Sequence, residues 1–278
     1  MSTTRSKDGT RIAFEQSGKG PALILVDGAL CYRANGPSRP LAALLAEHFT
    51  VFIYDRRGRG ESGDTAPYAM AREVEDIDAL IKAAGGAAFV YGVSSGAALA
   101  LAAANRGLAI RKVALYEAPF IVDDSRSPLP EDFLARLNEA IGSGRRGDAV
   151  KLFLKFVGVP GIFITLMRFM PVWSKLTAVA HTLPYDITVV KDHQTGRPLS
   201  PSDWPGATVP TLAMDGGKSP AWMRNAMRTL ADVLPNATYR TLDGQTHMVK
   251  ADAHVPALVE FFTSQEHVAA SVPSSLQA

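Results

Sequence analysis

Short apolar runs alternate with helix-like segments along the first 120 residues of this 278-residue chain. Residues 21–26 and 50–54 are apolar runs too short for a helix, and each predicts a buried strand. Residues 72–84 carry apolar side chains at helical spacing, and Gly85-Gly86 ends that helix. This regular alternation is typical of a mostly parallel, doubly wound sheet. The predicted fold class is therefore α/β.

The pattern changes between residues 121 and 205, where four helix-like stretches rich in Phe, Leu, Met and Trp are separated by Gly and Pro. The α/β alternation returns after residue 205. We therefore predict a core of residues 1–120 and 206–264, with a helical cap of residues 121–205 inserted into it. Residues 265–278 are rich in Ser and Ala and are predicted to form a flexible tail.

Composition excludes several function classes. The chain is 47% hydrophobic and 20% charged, which is ordinary for a globular protein. A net charge of +2 gives no reason to expect a nucleic-acid partner, and we interpret the cluster Arg56-Arg57-Gly58-Arg59 as turn or helix-end charges. Cys31 is the only cysteine, so neither a disulfide nor a thiolate zinc site is expected. No feature indicates a cofactor or a metal.

Residues 1–8 are polar and lack the apolar region of a secretory signal. The chain also has no uncharged apolar run of the roughly 18 residues that a transmembrane helix needs. These observations predict a cytoplasmic protein without a membrane partner. A homodimer is compatible with the sequence, although no feature predicts one.

The segment Gly92-Val93-Ser94-Ser95-Gly96 lies between a predicted strand, residues 87–91, and a helix of small residues, 97–105. A serine at the apex of so sharp a turn is held in a strained backbone conformation with its hydroxyl exposed, and small flanking residues let strand and helix approach closely. The N-terminus of the helix also directs free N–H groups towards the serine. The pattern predicts that Ser94 is a nucleophile.

A serine hydroxyl needs a base to take its proton. His247 follows the last predicted strand in a polar loop. Loops at the carboxyl ends of parallel strands meet at one rim of the sheet, where Ser94 is also predicted to lie. We therefore predict that His247 is the base.

Two residues are candidates for the acid that orients the imidazole of His247. They are Glu117 and Asp215, and each lies at the end of a predicted strand. A carboxylate at the tip of an apolar strand is costly to bury unpaired, and this favours Glu117. Asp215 precedes Gly216-Gly217, so a role in a turn explains it equally well.

A serine nucleophile that attacks a carbonyl group, as in acyl transfer, also needs N–H donors for the negative charge that develops on the carbonyl oxygen. Ser95, the first residue after the nucleophile, supplies one predicted donor. The loop after the strand 21–26 supplies the other from Gly28 or Ala29, although Asp27-Gly28 is also compatible with an ordinary turn at the end of a strand.

These residues resemble the α/β-hydrolase superfamily over nearly the whole chain. The matching parts are the serine turn, the loop of residues 54–62 after a strand, the helical insertion and the late histidine. Ser219 stands where that superfamily usually has its acid, and Asp27-Gly28 replaces its usual His-Gly. The resemblance implies an α/β-hydrolase fold with a cap.

A narrower resemblance is to the fungal zearalenone lactonases. The shared features are the Asp-Gly loop, the serine turn, a Glu-x-Pro at residues 117–119 and a Pro-Val-Trp at residues 171–173. This resemblance implies a catalytic triad, two oxyanion donors and a cap residue that faces an apolar substrate. The implied triad is Ser94, His247 and Glu117, and the implied oxyanion donors are Gly28 and Ser95. The cap residue is Trp173, for which packing inside the cap is an equal alternative.

The leading hypothesis is a cofactor-independent serine hydrolase that cleaves a carboxylic ester or lactone through an acyl-enzyme. The cap composition predicts a moderately large apolar substrate such as a zearalenone-like macrolactone. In one alternative, the same residues cleave a carbon–carbon bond in a diketone-type substrate. In another, the fold is a non-catalytic receptor for a small molecule.

Overall fold

The computed structural model of the chain describes residues 2–248 and 250–264. Its eight-stranded sheet has the order β1-β2-β4-β3-β5-β6-β7-β8. The six strands from β4 to β8 in this order are parallel, whereas β1 and β2 are antiparallel to their neighbours. The strands are β1 Ser2–Arg5, β2 Arg11–Ser17, β3 Ala22–Val26, β4 Thr50–Tyr54, β5 Ala88–Val93, β6 Ile110–Tyr116, β7 Thr211–Gly216 and β8 Ala237–Leu242.

Helices connect the strands and fill the segment between β6 and β7. None of the helices in the described ranges is both long and apolar enough to cross a membrane. The α-helices are α1 Ser38–Leu45, α2 Met70–Ala83, α3 Ser95–Asn105, α4 Phe133–Gly142, α5 Arg146–Phe156, α6 Gly161–Met167, α7 Pro171–Ala178, α8 Leu183–Val190, α9 Ala221–Val233 and α10 Ala251–Thr263.

Both faces of the central strands of the sheet are buried. Alternate residues of β3 belong to different cores: Leu23 and Leu25 pack with α1 and α10, whereas Ile24 and Val26 pack with α2, α3 and α9. A strand covered on both faces is apolar at every position, which explains the uninterrupted apolar runs in the sequence. The predicted mostly parallel, doubly wound sheet is confirmed.

The segment between β6 and β7 contains one helix more than the sequence predicts. Four of its helices, α4 to α7, overlap the predicted stretches, but α8 does not. Helix α8 is short and rich in β-branched residues, which have weak helix propensity. It is stabilised by packing instead, because Leu183 and Ile187 lie in the core of this segment and Val190 lies in the core beside the sheet. The division into core and cap stays a prediction, and the predicted tail, residues 265–278, lies outside the described residues.

Candidate active site

Ser94 lies at the apex of the turn between β5 and α3. Its backbone angles are φ 57° and ψ −129°, and its side chain is partly exposed. The turn is tight because α3 begins directly at Ser95. A Cβ atom at Gly96 would lie 2.2 Å from the Val26 carbonyl oxygen, so only glycine allows α3 to approach β3 this closely. The chain therefore presents the Ser94 hydroxyl above the carboxyl end of the sheet.

Backbone strain is concentrated at this end of the sheet. Among the described residues, Leu30, Ser94 and Glu117 are the non-glycine residues with positive φ, at 61°, 57° and 47°. They follow β3, β5 and β6, which are neighbours in the sheet. Each such residue costs on the order of 1–3 kcal/mol, and such strain persists where the surrounding structure imposes it, often at functional sites.

Glu117 and His247 form a hydrogen-bonded pair. His247 Nδ1 lies 2.7 Å from Glu117 Oε2, while the Gly216 N–H donates to Glu117 Oε1 at 2.8 Å. The Glu117 side chain is fully buried, whereas that of His247 is 33% exposed. When Nδ1 donates to the carboxylate, the neutral ring keeps Nε2 as an acceptor. The pair can therefore take a proton at Nε2.

Tyr116 connects the serine turn with the histidine loop. Its carbonyl oxygen accepts a hydrogen bond from the Ser94 N–H at 2.9 Å. Its hydroxyl donates to the Thr246 carbonyl oxygen at 2.8 Å, next to His247. One residue at the end of β6 thus holds the backbone beside the serine and the backbone beside the histidine.

Asp215 occupies a different environment from Glu117. Its carboxylate accepts a hydrogen bond from the Tyr239 hydroxyl, and burial raises its pKa above the ordinary value. The structure thus brings Glu117, rather than Asp215, into contact with His247. The two candidates lie at the ends of adjacent strands, so the contact depends on the path of the loop after β8.

The predicted oxyanion donors border Ser94. A Cβ atom at Gly28 would lie 2.9 Å from Ser94 Cβ, so the loop after β3 is as close to the serine as a glycine allows. Ala29 follows it and is partly exposed. The Ser95 N–H is the first in α3, and such N–H groups have no partner within their own helix.

Trp173 lies in the first turn of α7 and is half-buried. It packs against the apolar cluster of the segment between β6 and β7, and Leu30 belongs to the same cluster. Its indole ring also lies beside Gly147 on α5. The structure thus places Trp173 in a cluster that reaches the loop of the predicted oxyanion donors. A contact with substrate stays a prediction.

Two arginines of the turn after β4 support the predicted oxyanion donors. Arg59 donates to the Gly28 carbonyl oxygen at 2.7 Å, and Arg56 donates to Ser95 Oγ at 3.2 Å. Both side chains are about 1% exposed. These arginines do lie in the predicted turn, but they form buried ion pairs rather than ordinary turn charges. The sequence offers one signal for this, a run of arginines directly after an apolar strand.

Asp186 of α8 joins these two arginines. Its carboxylate accepts from Arg56 and Arg59, each at 2.7 Å, and from Ser95 Oγ at 2.8 Å. Burial alone would raise the pKa of Asp186, but Arg59, Arg56 and the Ser95 hydroxyl hold it below its ordinary value. The unpredicted helix α8 therefore supplies the anion that balances the charges behind the serine turn.

Replacing Asp186 by asparagine is expected to lower kcat about 10- to 100-fold, because small displacements of catalytic groups have effects of this size. The matched control is Asp76→Asn, which breaks a similarly buried pair between Asp76 and Arg57, with contacts of 2.7 and 2.8 Å. Each change is expected to lower the free energy of unfolding by about 3–5 kcal/mol. Steady-state kinetics and urea unfolding check both variants. Equal losses of kcat in the two would show that the effect is general destabilisation.

Asp27, directly after β3, is buried and accepts a hydrogen bond from the Ser38 hydroxyl at 2.7 Å. Burial raises its pKa from 3.8 to about 6, against the lowering by Ser38, Arg59 and Arg56. A pKa shift of this size changes the free energy of unfolding by roughly 3 kcal/mol. Because the pKa of Asp27 is higher in the folded protein than in the unfolded chain, the protonated carboxyl contributes this stability in full below about pH 4. The contribution is lost as the pH rises through about 6.

Asp27→Asn removes this ionisation. The free energy of unfolding of the variant minus that of the wild type is therefore expected to increase between about pH 4 and pH 7, by up to roughly 3 kcal/mol. Urea unfolding at several pH values measures the difference. A difference that does not change with pH would show that Asp27 does not titrate in this range.

A model of the alpha/beta hydrolase family matches residues 24–258. Among solved structures, an alpha/beta hydrolase from Sphaerobacter thermophilus DSM 20745 is 54% identical with a TM-score of 0.87, and the match covers 94% of this chain and 100% of that chain. The enol-lactonase from Burkholderia xenovorans LB400 is 24% identical with a TM-score of 0.68, covering 95% and 100%. The 2-hydroxy-6-oxo-6-phenylhexa-2,4-dienoate hydrolase from Rhodococcus sp. strain RHA1 is 21% identical with a TM-score of 0.65, covering 94% and 98%.

At 24% and 21% identity, the last two likenesses show the fold alone. The sheet order, the serine turn between β5 and α3, and a family match across most of the sequence agree with one another. The predicted α/β-hydrolase fold is therefore confirmed, and the chain belongs to the alpha/beta hydrolase family.

Proposed function

We propose that this protein is a serine hydrolase that cleaves a carboxylic ester or lactone through an acyl-enzyme and without a cofactor. The observation that carries the proposal is the 2.7 Å contact between His247 Nδ1 and the buried Glu117 carboxylate, at the rim that presents Ser94. A nucleophile, a base and a group that orients the base are the parts that acyl transfer requires.

In the first step, His247 Nε2 takes the proton of Ser94 Oγ as that oxygen attacks the substrate carbonyl carbon. The Glu117 carboxylate stabilises the resulting imidazolium and holds the ring orientation. The negative charge that forms on the carbonyl oxygen is stabilised by the Ser95 N–H and by the N–H of Gly28 or Ala29. His247 then gives its proton to the leaving alkoxide as the ester bond breaks.

In the second step, water attacks the acyl-enzyme. His247 takes a proton from that water, and the new carbon–oxygen bond forms as the bond to Ser94 Oγ breaks. The proton passes to Ser94 Oγ, and a carboxylic acid is released. The partial exposure of the His247 side chain supports this step because it gives water a route to the base.

The apolar surroundings support an apolar substrate. Leu30, two residues after Gly28, packs in the same cluster as Phe133 and Leu183 of the segment between β6 and β7. We propose a lactone of the zearalenone type, an aromatic macrolactone, as the substrate class. Its support is the short sequence resemblance at Asp27-Gly28, residues 117–119 and residues 171–173.

The test is hydrolysis of a resorcylic macrolactone and of simple aryl esters by the wild-type protein. Opening of the macrolactone would support the whole proposal. Cleavage of aryl esters alone would keep the serine hydrolase mechanism and reject the macrolactone as substrate. Cleavage of neither, together with turnover of a vinylogous diketone, would replace the proposal by carbon–carbon bond hydrolysis. Tight binding of the lactone without any product would indicate a receptor instead.

A further inference from the structure

Helix α6 and the turn that follows it expose large apolar side chains. Ile162, Phe163, Leu166, Phe169 and Met170 are between 54% and 85% exposed, and we call these five the α6 apolar surface. Single exposed apolar residues are common, but a contiguous group of this kind marks an interaction surface. The opposite side of α6 is anchored, because Ile164 is 2% exposed.

The charged residues of the chain segment that contains this surface are all basic. Between residues 149 and 185 the sequence contains Lys151, Lys155, Arg168 and Lys175 and no Asp or Glu. All four basic residues are exposed. The acids that bound this stretch are Asp148, in the first turn of α5, and Asp186, which is buried against Arg56 and Arg59. The segment that carries the α6 apolar surface therefore has an excess of positive charge. Glu139 and Asp148 line a surface groove with two of its cations, Lys151 and Lys155, but Arg136 and Arg145 line it as well, so the groove is also net basic.

From this combination we propose that the α6 apolar surface docks on an anionic lipid membrane. Apolar side chains that enter the acyl boundary, with cations beside them that pair with anionic headgroups, are the pattern of a helix lying in a membrane interface. Long Lys and Arg side chains can keep their charged ends among the headgroups while their stems cover apolar surface. Such docking involves no membrane-spanning helix. It goes beyond the hydrolase function and differs from the sequence-based expectation of no membrane partner.

A second copy of the chain is the competing occupant. Two identical surfaces would bring the same cations together, and like charges that face each other across an interface are unfavourable. Two acids of the preceding helical region already form ion pairs: Asp132, directly before α4, with Arg136, and Glu139 of α4 with Arg145. The charge pattern therefore favours a negatively charged lipid surface over self-association.

The experiment is flotation of the full chain with two kinds of vesicle, phosphatidylcholine alone and phosphatidylcholine with about one-third phosphatidylglycerol. Binding to the anionic vesicles is expected to be at least about tenfold tighter and to weaken at high salt. The variants Phe163→Ser/Phe169→Ser and Lys155→Glu/Arg168→Glu are each expected to lose at least about tenfold in affinity. The controls Leu44→Ser and Lys19→Glu change exposed residues on the core, and their binding is expected to match that of the wild type.

Circular dichroism establishes that each variant is folded; if the serine variant is not, the charge variant and the salt dependence decide. Failure of the wild type to float with anionic vesicles would overturn the proposal, as would equal binding to both kinds of vesicle. Binding that neither variant weakens would also overturn it. Light scattering measures the oligomeric state of the wild type and of Phe163→Ser/Phe169→Ser. A wild-type dimer that dissociates in this variant would assign the surface to a second copy and overturn the proposal. None of these outcomes depends on the proposed hydrolase activity.

Discussion

Ser94→Ala is expected to lower kcat for any ester that the protein cleaves by on the order of 10⁴-fold or more. The variant keeps the turn between β5 and α3 but lacks the oxygen that forms the acyl-enzyme. Steady-state kinetics on one ester, with wild type and variant prepared side by side, measures the loss. Because binding of the substrate does not require the nucleophile, KM is expected to change far less than kcat.

Ser219→Ala is the matched control for this prediction. Ser219 is a buried serine that lies just after β7, and its hydroxyl has no hydrogen-bond partner among the described residues. Its position is the one at which the superfamily resemblance would place an acid. Activity near that of the wild type is expected. A large loss in Ser219→Ala together with turnover in Ser94→Ala would reverse the assignment of the two serines.

The second large effect is expected for Glu117→Gln, which should lower kcat by roughly 10³- to 10⁴-fold. Glutamine has nearly the same shape, and its carbonyl oxygen can still accept the Gly216 N–H. Its amide is neutral, however, so it cannot stabilise the His247 imidazolium, and an NH₂ group facing Nδ1 selects the wrong tautomer. The expected signature is a loss in kcat with a folded protein, measured by kinetics and by thermal unfolding.

Asp215→Asn is the control for the acid. This residue is also buried at the end of a strand, but it accepts a hydrogen bond from the Tyr239 hydroxyl, whereas His247 contacts Glu117. Its substitution is expected to leave kcat close to the wild-type value. If Asp215→Asn lost as much activity as Glu117→Gln, the contact between Glu117 and His247 would not be the one that orients the base.

The sheet and the serine turn could be predicted from the sequence because their signals are local. Residues of β3 and β4 face a core on both sides, so their apolar runs are visible without any partner. Ser94 is flanked by small residues because strand and helix almost touch there, and this requirement is also local. The positions of Glu117 and His247 at strand ends follow from the same alternation.

The remaining features depend on contacts between distant parts of the chain. Whether Glu117 or Asp215 meets His247 is decided by where one loop lies, and periodicity carries no information about that. The pairing of Arg56 and Arg59 with Asp186 spans about half the sequence, and α8 is stabilised by packing rather than by propensity. The exposure of α6 could not be predicted from the sequence either, because an apolar helix that faces solvent has the same sequence pattern as one that faces a core.

The most direct test of the central claim is peptide mass spectrometry of the protein after an acid quench during turnover of p-nitrophenyl acetate. An acetyl group is expected on Ser94 in the wild type and on no residue of Ser94→Ala. Its amount is expected to fall as the ester is consumed, which would establish the adduct as an intermediate. Ester hydrolysis by the wild type with Ser94 unmodified throughout, or with the acetyl group on another residue, would contradict the mechanism.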